Sequence, residues 1–431
     1  MTCQNTIVIR FIILLLSLAT ELNAAIPIEG EPANAAIQAA LDNSNAAHLP
    51  KRDRPYVLDG PIILKSGQKL TADADTVIQL KPGTNTCMVR NEHIVGFADK
   101  PVPENTNPNT DIHIEGGIWT TFGEGNTRGH SSKQAHVHGT HGVILLQNVR
   151  RVTVRNITVR RSKAFAVHLA NARDFTVDGV TLDEHGRDGV HVNGPASDGL
   201  IRNVSGVSHD DTVALNAWEW KNYAPSFGAI HHIVIEDVRG APGGIPSADS
   251  IRLLPGVKRF SDGTTLDCPI HDITIRNITD IRDFKLYDQP NLEVGRDNDA
   301  SAGIGTLKNI TFEKLTFNRS GSIQVHANTD GLTVRNVKLN FPPPADHHLI
   351  ELGPKSATYK HKRDEPATWV EIFSPDLDCT VWNLTVSGVH LRDSQADVPI
   401  EQVVRVIELK PNPDYPKTTP KGGTGKGIWI R

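Results

Sequence analysis

Val152-Thr-Val-Arg-Asn-Ile157, Phe175-Thr-Val-Asp-Gly-Val180, Ile273-Thr-Ile-Arg-Asn-Ile278 and Leu332-Thr-Val-Arg-Asn-Val337 share one pattern: apolar, any residue, apolar, polar, then Asn, Gly or Asp, then apolar. The pattern recurs from Leu200 to Val204, Ile233 to Val238, Ile310 to Leu315 and Leu384 to Val389. At the central apolar residue, Val154 to Val177 is 23 residues, Val177 to Ile201 is 24 and Phe312 to Val334 is 22; other intervals run from 34 to 52. Self-similarity at the lower end of the solenoid range marks a repeat architecture, with the longer intervals read as insertions into single repeats.

Between these segments lies a second set of short alternating runs: Val143-Ile-Leu145, Val167-His-Leu169, Val190-His-Val192, Val213-Ala-Leu215, Ile251-Arg-Leu253 and Ile323-Gln-Val325. Period-2 alternation is the signature of strands, and so short a repeat has no room for a crossover helix. The chain is therefore expected to coil as an all-β parallel β-helix. Equivalent residues of successive coils then stand about 4.8 Å apart in columns. One β-helix domain is expected from Ile26 onward, with residues 26–110 as an N-terminal cap and first coils, because the open end of a solenoid must be covered. Pro101 to Pro108 and Pro342 to Pro344 read as loops.

Composition narrows the function classes. In 431 residues, 45 Lys and Arg stand against 49 Asp and Glu, a formal net charge of -4, so no basic excess is available for a phosphate backbone and nucleic acid is not expected as a partner. The start carries Arg10, an apolar run from Phe11 to Ala19 and small residues at Asn23, Ala24 and Ala25, which reads as a signal peptide over residues 1–25. No membrane span is expected, and the mature chain should be secreted or periplasmic and monomeric. Cys87, Cys268 and Cys379 remain after Cys3 leaves with the signal, so at most one disulfide forms.

Two columns carry candidate chemistry. The residues two places before the second strand are His141, Phe165, Asp188, Asp211 and Asp249, with Asp210 beside Asp211. Carboxylates about one coil apart cannot all ionise without displaced pKa values or a cation. The outward mid-strand column reads Ile144, His168, His191, Ala214, Arg252 and Gln324, a polar face next to the carboxylates. Asn216-Ala-Trp-Glu-Trp-Lys-Asn-Tyr223 follows, and Trp218 and Trp220 either stack on sugar rings or cover the core. Asn193 and Asn216 read as a structural ladder. The cluster His130, His136, His138 and His141 lies in a Gly/Ser-rich loop and does not read as a zinc site. Sequons at Asn156, Asn203, Asn277, Asn309 and Asn383 read as one rung position, a by-product of the repeat.

Gly186-Arg-Asp-Gly-Val-His-Val192 and Ser208-His-Asp-Asp-Thr-Val-Ala-Leu-Asn216 resemble the Asn-Thr-Asp-Gly and Asp-Asp blocks of glycoside hydrolase family 28, the polygalacturonase and rhamnogalacturonase group. The resemblance spans about Ile112 to Val389 and implies a right-handed β-helix and inverting hydrolysis of a glycosidic bond. It makes Asp210 the general acid and Asp188 and Asp211 the activators of water. Ile251-Arg-Leu-Leu254 is similar to the family's Val-Arg-Ile-Lys block, which makes Arg252 a substrate contact; His168, His191, Trp218, Trp220 and Asp249 are further expected contacts, read from the columns and the aromatic turn. No cofactor or metal is implied.

Two departures stand out: the family's Gly-His-Gly block is missing, and Leu254 replaces its Lys. The second points to an acidic pectin-like or algal polysaccharide with weak cleavage of plain polygalacturonate, unless Lys285 of Phe284-Lys-Leu-Tyr287 takes the Lys role. A second reading is a β-helix polysaccharide lyase, with calcium on Asp188, Asp211 and Asp249 and Arg252 or Lys258 as base. A third is a glycan-binding adhesin without turnover.

Overall fold

The Asn, Gly or Asp of the repeated pattern exists because the chain must turn a corner there in the left-handed conformation. Asn156, Gly179, Asn203, Asp237, Asn277, Lys314, Asn336 and Gly388 stack in register and have φ between 54° and 75°. These residue types tolerate that region best, Gly for want of a Cβ and Asn and Asp through short polar side chains. A second stack of bends runs through Arg151, Asp174, Asp198, His232, Asp272, Asn309, Gly331 and Asn383, with φ between 52° and 81°. The sequons consequently divide between both stacks, Asn309 and Asn383 in the second, and do not share one rung position.

The computed structural model describes residues 32–94, 106–121, 142–219, 224–241, 249–287, 303–344, 346–353, 357–360, 369–372, 379–392, 394, 396, 398–406 and 424–430. The expected signal peptide and the cluster from His130 to His141 lie outside them, as does Trp220. Helix α1 (Asn34–Ser44) lays Ile37 and Leu41 into the apolar core ahead of the first strands.

Eight strands carry or border the candidate site: β1 (Gly142–Arg160), β2 (Phe165–His185), β3 (Val190–Ser208), β4 (Asp211–Asn216), β5 (Ile230–Arg239), β6 (Ser250–Leu254), β7 (Ile270–Thr279) and β8 (Asp283–Tyr287). All pair in parallel with the equivalent strand of the next coil, β1 with β2, β2 with β3, β3 with β4 and β5, β4 with β6, β5 with β7 and β6 with β8. The architecture is a parallel β-helix. One inward column runs Leu70, Ile114, Val154, Val177, Ile201, Ile235, Ile275, Phe312, Val334 and Val386, with every member buried. Its long steps, such as Ile201 to Ile235, are single coil steps in register, so the extra residues enter between strands and leave the core column whole.

Register also corrects two rungs of the second strand. Leu145, not Ile144, pairs with His168, and Lys285 stands between Arg252 and Gln324, so the column reads Leu145, His168, His191, Ala214, Arg252, Lys285, Gln324. Cys87, Cys268 and Cys379 are all free and buried. No described helix is long and apolar enough to cross a membrane.

The bends offer a direct test. A Cβ on Gly179, at φ 75°, would stand 2.8 Å from Asn156 Oδ1, whereas one on Gly67, at φ 78°, would meet nothing within 4 Å. Gly67→Ala should cost about 1–2 kcal/mol through backbone strain alone, and Gly179→Ala should cost more. Denaturant unfolding of the two variants measures this, and equal losses would contradict the close stacking of the bends.

Candidate active site

Three carboxylates converge at the edge of β3 and β4. Asp188 precedes β3, Asp211 opens β4 and Asp210 stands just outside it; one oxygen from each lies within 4.8 Å of the others. Asp249 does not join them. A bulge sets Asp211 opposite Ser250 and Val213 opposite Ile251, so two residues of β4 face one step of β6 and Asp249 slides beside Asp210 along the backbone. Its buried carboxylate faces Arg319, whose Nη2 lies 3.4 Å from Asp249 Oδ2. The trio is thus Asp188, Asp210 and Asp211, and the calcium set with Asp249 is not assembled. Lys258 is elsewhere too, its ammonium 4.2 Å from the centre of the Phe227 ring.

Cations border the trio. Arg252 Nη2 contacts Asp211 Oδ2 and lies 3.8 Å from Asp210 Oδ1; Lys285 Nζ donates to Asp211 Oδ1 at 3.0 Å. Ser250 Oγ donates to the same Asp211 oxygen at 2.5 Å. Arg187, which sequence reasoning passed over although it adjoins Asp188, reaches Asp210 Oδ2. Asp210 is the most open of the three, with 24% of its side chain exposed against 3% for Asp188 and 0% for Asp211.

The proton affinities divide accordingly. Burial, then the negative charges of Asp188 and Asp211, raise the Asp210 carboxyl to about 6, against the opposing pull of Arg187 and Arg252. Burial would raise Asp188 as well, but the hydrogen bond and charge of His191, with Arg187 and Arg252, outweigh it and hold Asp188 well below the usual carboxylate range. Asp188 Oδ2 accepts from His191 Nδ1 at 2.7 Å, while its buried Oδ1 has no hydrogen-bond partner among the described residues.

Behind the trio lies a buried network that corrects the expected substrate face. His168 and His191 are fully buried and do not look onto solvent. His191 sits between two acceptors, Asp188 and Glu219, whose Oε2 lies 3.0 Å from His191 Nε2, so both ring nitrogens donate and the imidazole is cationic. The Phe165 ring stacks on it, centroids 3.9 Å apart and planes 6° apart. The same Glu219 oxygen accepts from Asn193 and Asn216, each at 3.1 Å, so these amides do more than ladder a turn. His168 Nε2 donates to Asn193 Oδ1 at 2.7 Å.

Glu219 was missed because its signal, a carboxylate between two Trp and three residues after Asn216, resembles an ordinary turn. Trp218 is 1% exposed and belongs to the apolar core, the second of its two expected places, and its burial accompanies the turn that brings Glu219 inward. Leu254 is buried in the same core, and the second cation near Arg252 is Lys285, one coil on.

This network sets a stability prediction. Burial would lower His191, but the charge of Glu219 and the bonds to Asp188 and Glu219 raise it to about 9, above its value near 6.5 when unfolded. Stability from His191 is therefore complete below about pH 6.5 and is lost as pH rises through about 9. Glu219→Ala leaves a buried cation short of a partner and should cost about 3–5 kcal/mol. Denaturant unfolding from pH 6 to 10 should show the wild type losing stability over that window and the variant losing less.

No family model and no curated protein matches the chain. Among solved structures it is similar to the polygalacturonase from Erwinia carotovora ssp. carotovora at 14% identity, covering 88% of this chain and 96% of that one, with a TM-score of 0.49. It is similar to the endo-xylogalacturonan hydrolase from Aspergillus tubingensis at 12% identity, covering 94% and 97%, TM-score 0.48. A third is PfbA, a surface adhesin of Streptococcus pneumoniae, at 12% identity, covering 87% and 91%, TM-score 0.43. At that level of likeness a polygalacturonase, a hydrolase and an adhesin do not separate one function from another.

Proposed function

We propose that the chain is an exported glycoside hydrolase that cleaves an acidic polysaccharide. The observation that carries this reading is the division of labour within one carboxylate cluster: an open Asp210 that keeps its proton, and a buried Asp188 with an unpartnered oxygen. Asp210 gives its proton to the glycosidic oxygen as the C–O bond breaks. Asp188 Oδ1 takes a proton from the water that adds to the anomeric carbon. Asp211, held by Ser250, Lys285 and Arg252, lies beside Asp210, and its charge is among the causes that raise the Asp210 carboxyl. This arrangement meets the need for one acid and one base with separated proton affinities.

Arg187, Arg252 and Lys285 supply the positive charge that suits a sugar carboxylate or sulfate. The case for weak polygalacturonate cleavage rested on Leu254 and loses its ground, since Lys285 provides the second cation. Export suits a polymer that cannot enter a cell. An inverting outcome follows the family resemblance and not the spacing: the trio's nearest oxygens, within 4.8 Å, are closer than the about 6.5–9.5 Å of inverting pairs.

Asp210→Asn and Asp188→Asn should each lower kcat by about 10²–10⁴-fold; Asp210→Asn should leave folding intact, whereas Asp188→Asn also weakens the buried pair with His191 and should lower the unfolding midpoint. Asp249→Asn should spare turnover and lower the unfolding midpoint, because Asp249 holds Arg319. Turnover should peak in acid and fall as pH rises through about 6, where Asp210 loses its proton. The assay is reducing-end release from pectic, carrageenan-type and neutral polysaccharides, with the first-formed anomer followed by NMR. An unsaturated product absorbing in the ultraviolet would replace this reading by the lyase, a retained anomer would overturn the inverting step, and glycan binding without turnover would leave an adhesin.

A further inference from the structure

Asp188, Asp210 and Asp211 are chemically identical and bring one oxygen each within 4.8 Å of one another, so their surroundings decide which of them carries a proton. Burial alone would choose wrongly. The Asp188 side chain is 3% exposed against 24% for Asp210, and a carboxyl group withdrawn from water favours its neutral form. Asp211 is answered by Arg252 and Lys285. For Asp188 the answer comes from the opposite side, through His191.

His191 reaches Asp188 with Nδ1 at 2.7 Å and Glu219 with Nε2 at 3.0 Å, and none of the three side chains is more than 3% exposed. With both nitrogens donating to carboxylates, the ring has no lone pair left and cannot take a proton from Asp188. It is a fixed cationic donor. Glu219 makes it so, and Glu219 is itself held from two coils, because its Oε2 also accepts from Asn193 on β3 and Asn216 on β4. The Phe165 ring covers one face of the imidazole, and His168 stands edge-on to it with centroids 5.1 Å apart. The coil does not require an imidazole here, since the same column carries Leu145, Ala214 and Arg252 on other coils. Arg187 and Arg252 add positive charge near Asp188, and Asp210 and Asp211 add negative charge. His185 donates to the Asp188 backbone carbonyl at 2.9 Å, and burial keeps that ring neutral, its pKa lowered to about 4. Among the described residues, His191 alone donates a hydrogen bond to the Asp188 carboxylate.

We propose that His191 and Glu219 are positioning residues: together they commit Asp188 to the ionised state with Oδ2 occupied and Oδ1 left to receive a proton, and so leave the proton of the cluster on Asp210. The kinetic consequence rests on the hydrolase reading. Where the proton sits is a property of the folded chain, whatever that chain cleaves.

The test follows the aspartate carboxyl carbons of the full chain by carbon-13 NMR from about pH 3 to 8, a range that spans ordinary and raised carboxyl groups. Asp188→Asn and Asp210→Asn assign the two signals, and kcat and KM are measured over the same range by reducing-end release. In the wild type Asp188 should stay ionised while Asp210 takes its proton near pH 6. Glu219→Gln keeps the shape of the side chain and removes its charge; His191→Asn keeps a donor and removes the cation. In both, Asp188 should take up a proton at higher pH than in the wild type and Asp210 at lower pH, since a neutral Asp188 no longer repels it. Turnover should fall by about 10²-fold in kcat with KM little changed, and the acid limb of the profile, set by ionisation of the base, should move to higher pH. Lost stability alone would not move that limb, so Gly179→Ala, destabilising at a distant bend, should keep the wild-type limb and titrations. Asp188 titrating as in the wild type in both variants would overturn the proposal even where kcat falls. A wild type without turnover would end the hydrolase reading instead, and the NMR titration alone would then decide the location of the proton.

Discussion

Hydrogen bonding between successive coils, always parallel and always to the equivalent strand, is the constraint on which everything else in this protein depends. It holds neighbouring rungs about 4.8 Å apart, whatever the side chains are. On the inner face that spacing lets Val, Ile, Leu and Phe form an unbroken column. On the outer face it brings together carboxylates that would repel one another in a freer chain. Asp188 and Asp211 stand on successive coils because the backbone puts them there: the Gly189 amide donates to the Asp211 carbonyl.

Such forced proximity has to be compensated by charge. Around the trio the cations come from three coils: Arg187 and His191 from the coil of β3, with His191 between Asp188 and Glu219, Arg252 from β6 and Lys285 from β8. Carbon burial cannot perform this task, and buried charges left unpaired are costly. The cations do not spread evenly. Asp211 accepts from Ser250 and Lys285 and meets Arg252, Asp188 is held on one oxygen only, and Asp210 keeps the greatest exposure. Inequality among three identical side chains, and not the presence of any one of them, is what gives the cluster its chemical direction.

The repeat was legible because the inward column needs apolar residues and the bends need Asn, Asp or Gly; both demands recur every coil. The Asp-Gly and Asp-Asp segments were legible as neighbours for the same reason. Departures from strict repetition were not. A one-residue bulge at Asp211 moved Asp249 off the carboxylate column, and nothing in a pattern of alternation announces a bulge. Lys285 was legible as an alternative for the Lys role, but its rung was not, because the segment Phe284-Lys-Leu-Tyr287 was not placed in the outward column; the pairing of Arg252 with Lys285 places it there. Trp218 and His168 show the limit of alternation from another side. An outward position on a strand is solvated only if nothing folds over it, and here the chain after β4 returns close enough for Gln147 to bond the Pro225 carbonyl.

The stacked bends make the loops between strands independent of the core. Thirty-four residues separate Ile201 from its partner Ile235 and only 24 separate Val177 from Ile201, yet both are one step in the same column. Lengthening a flexible loop costs little, about 0.6 kcal/mol for each doubling. A lineage carrying this coil can therefore reshape the walls around its carboxylates by insertion and deletion while the carboxylates stay in place. Loop length and the position of the carboxylates are thus set by separate parts of the chain.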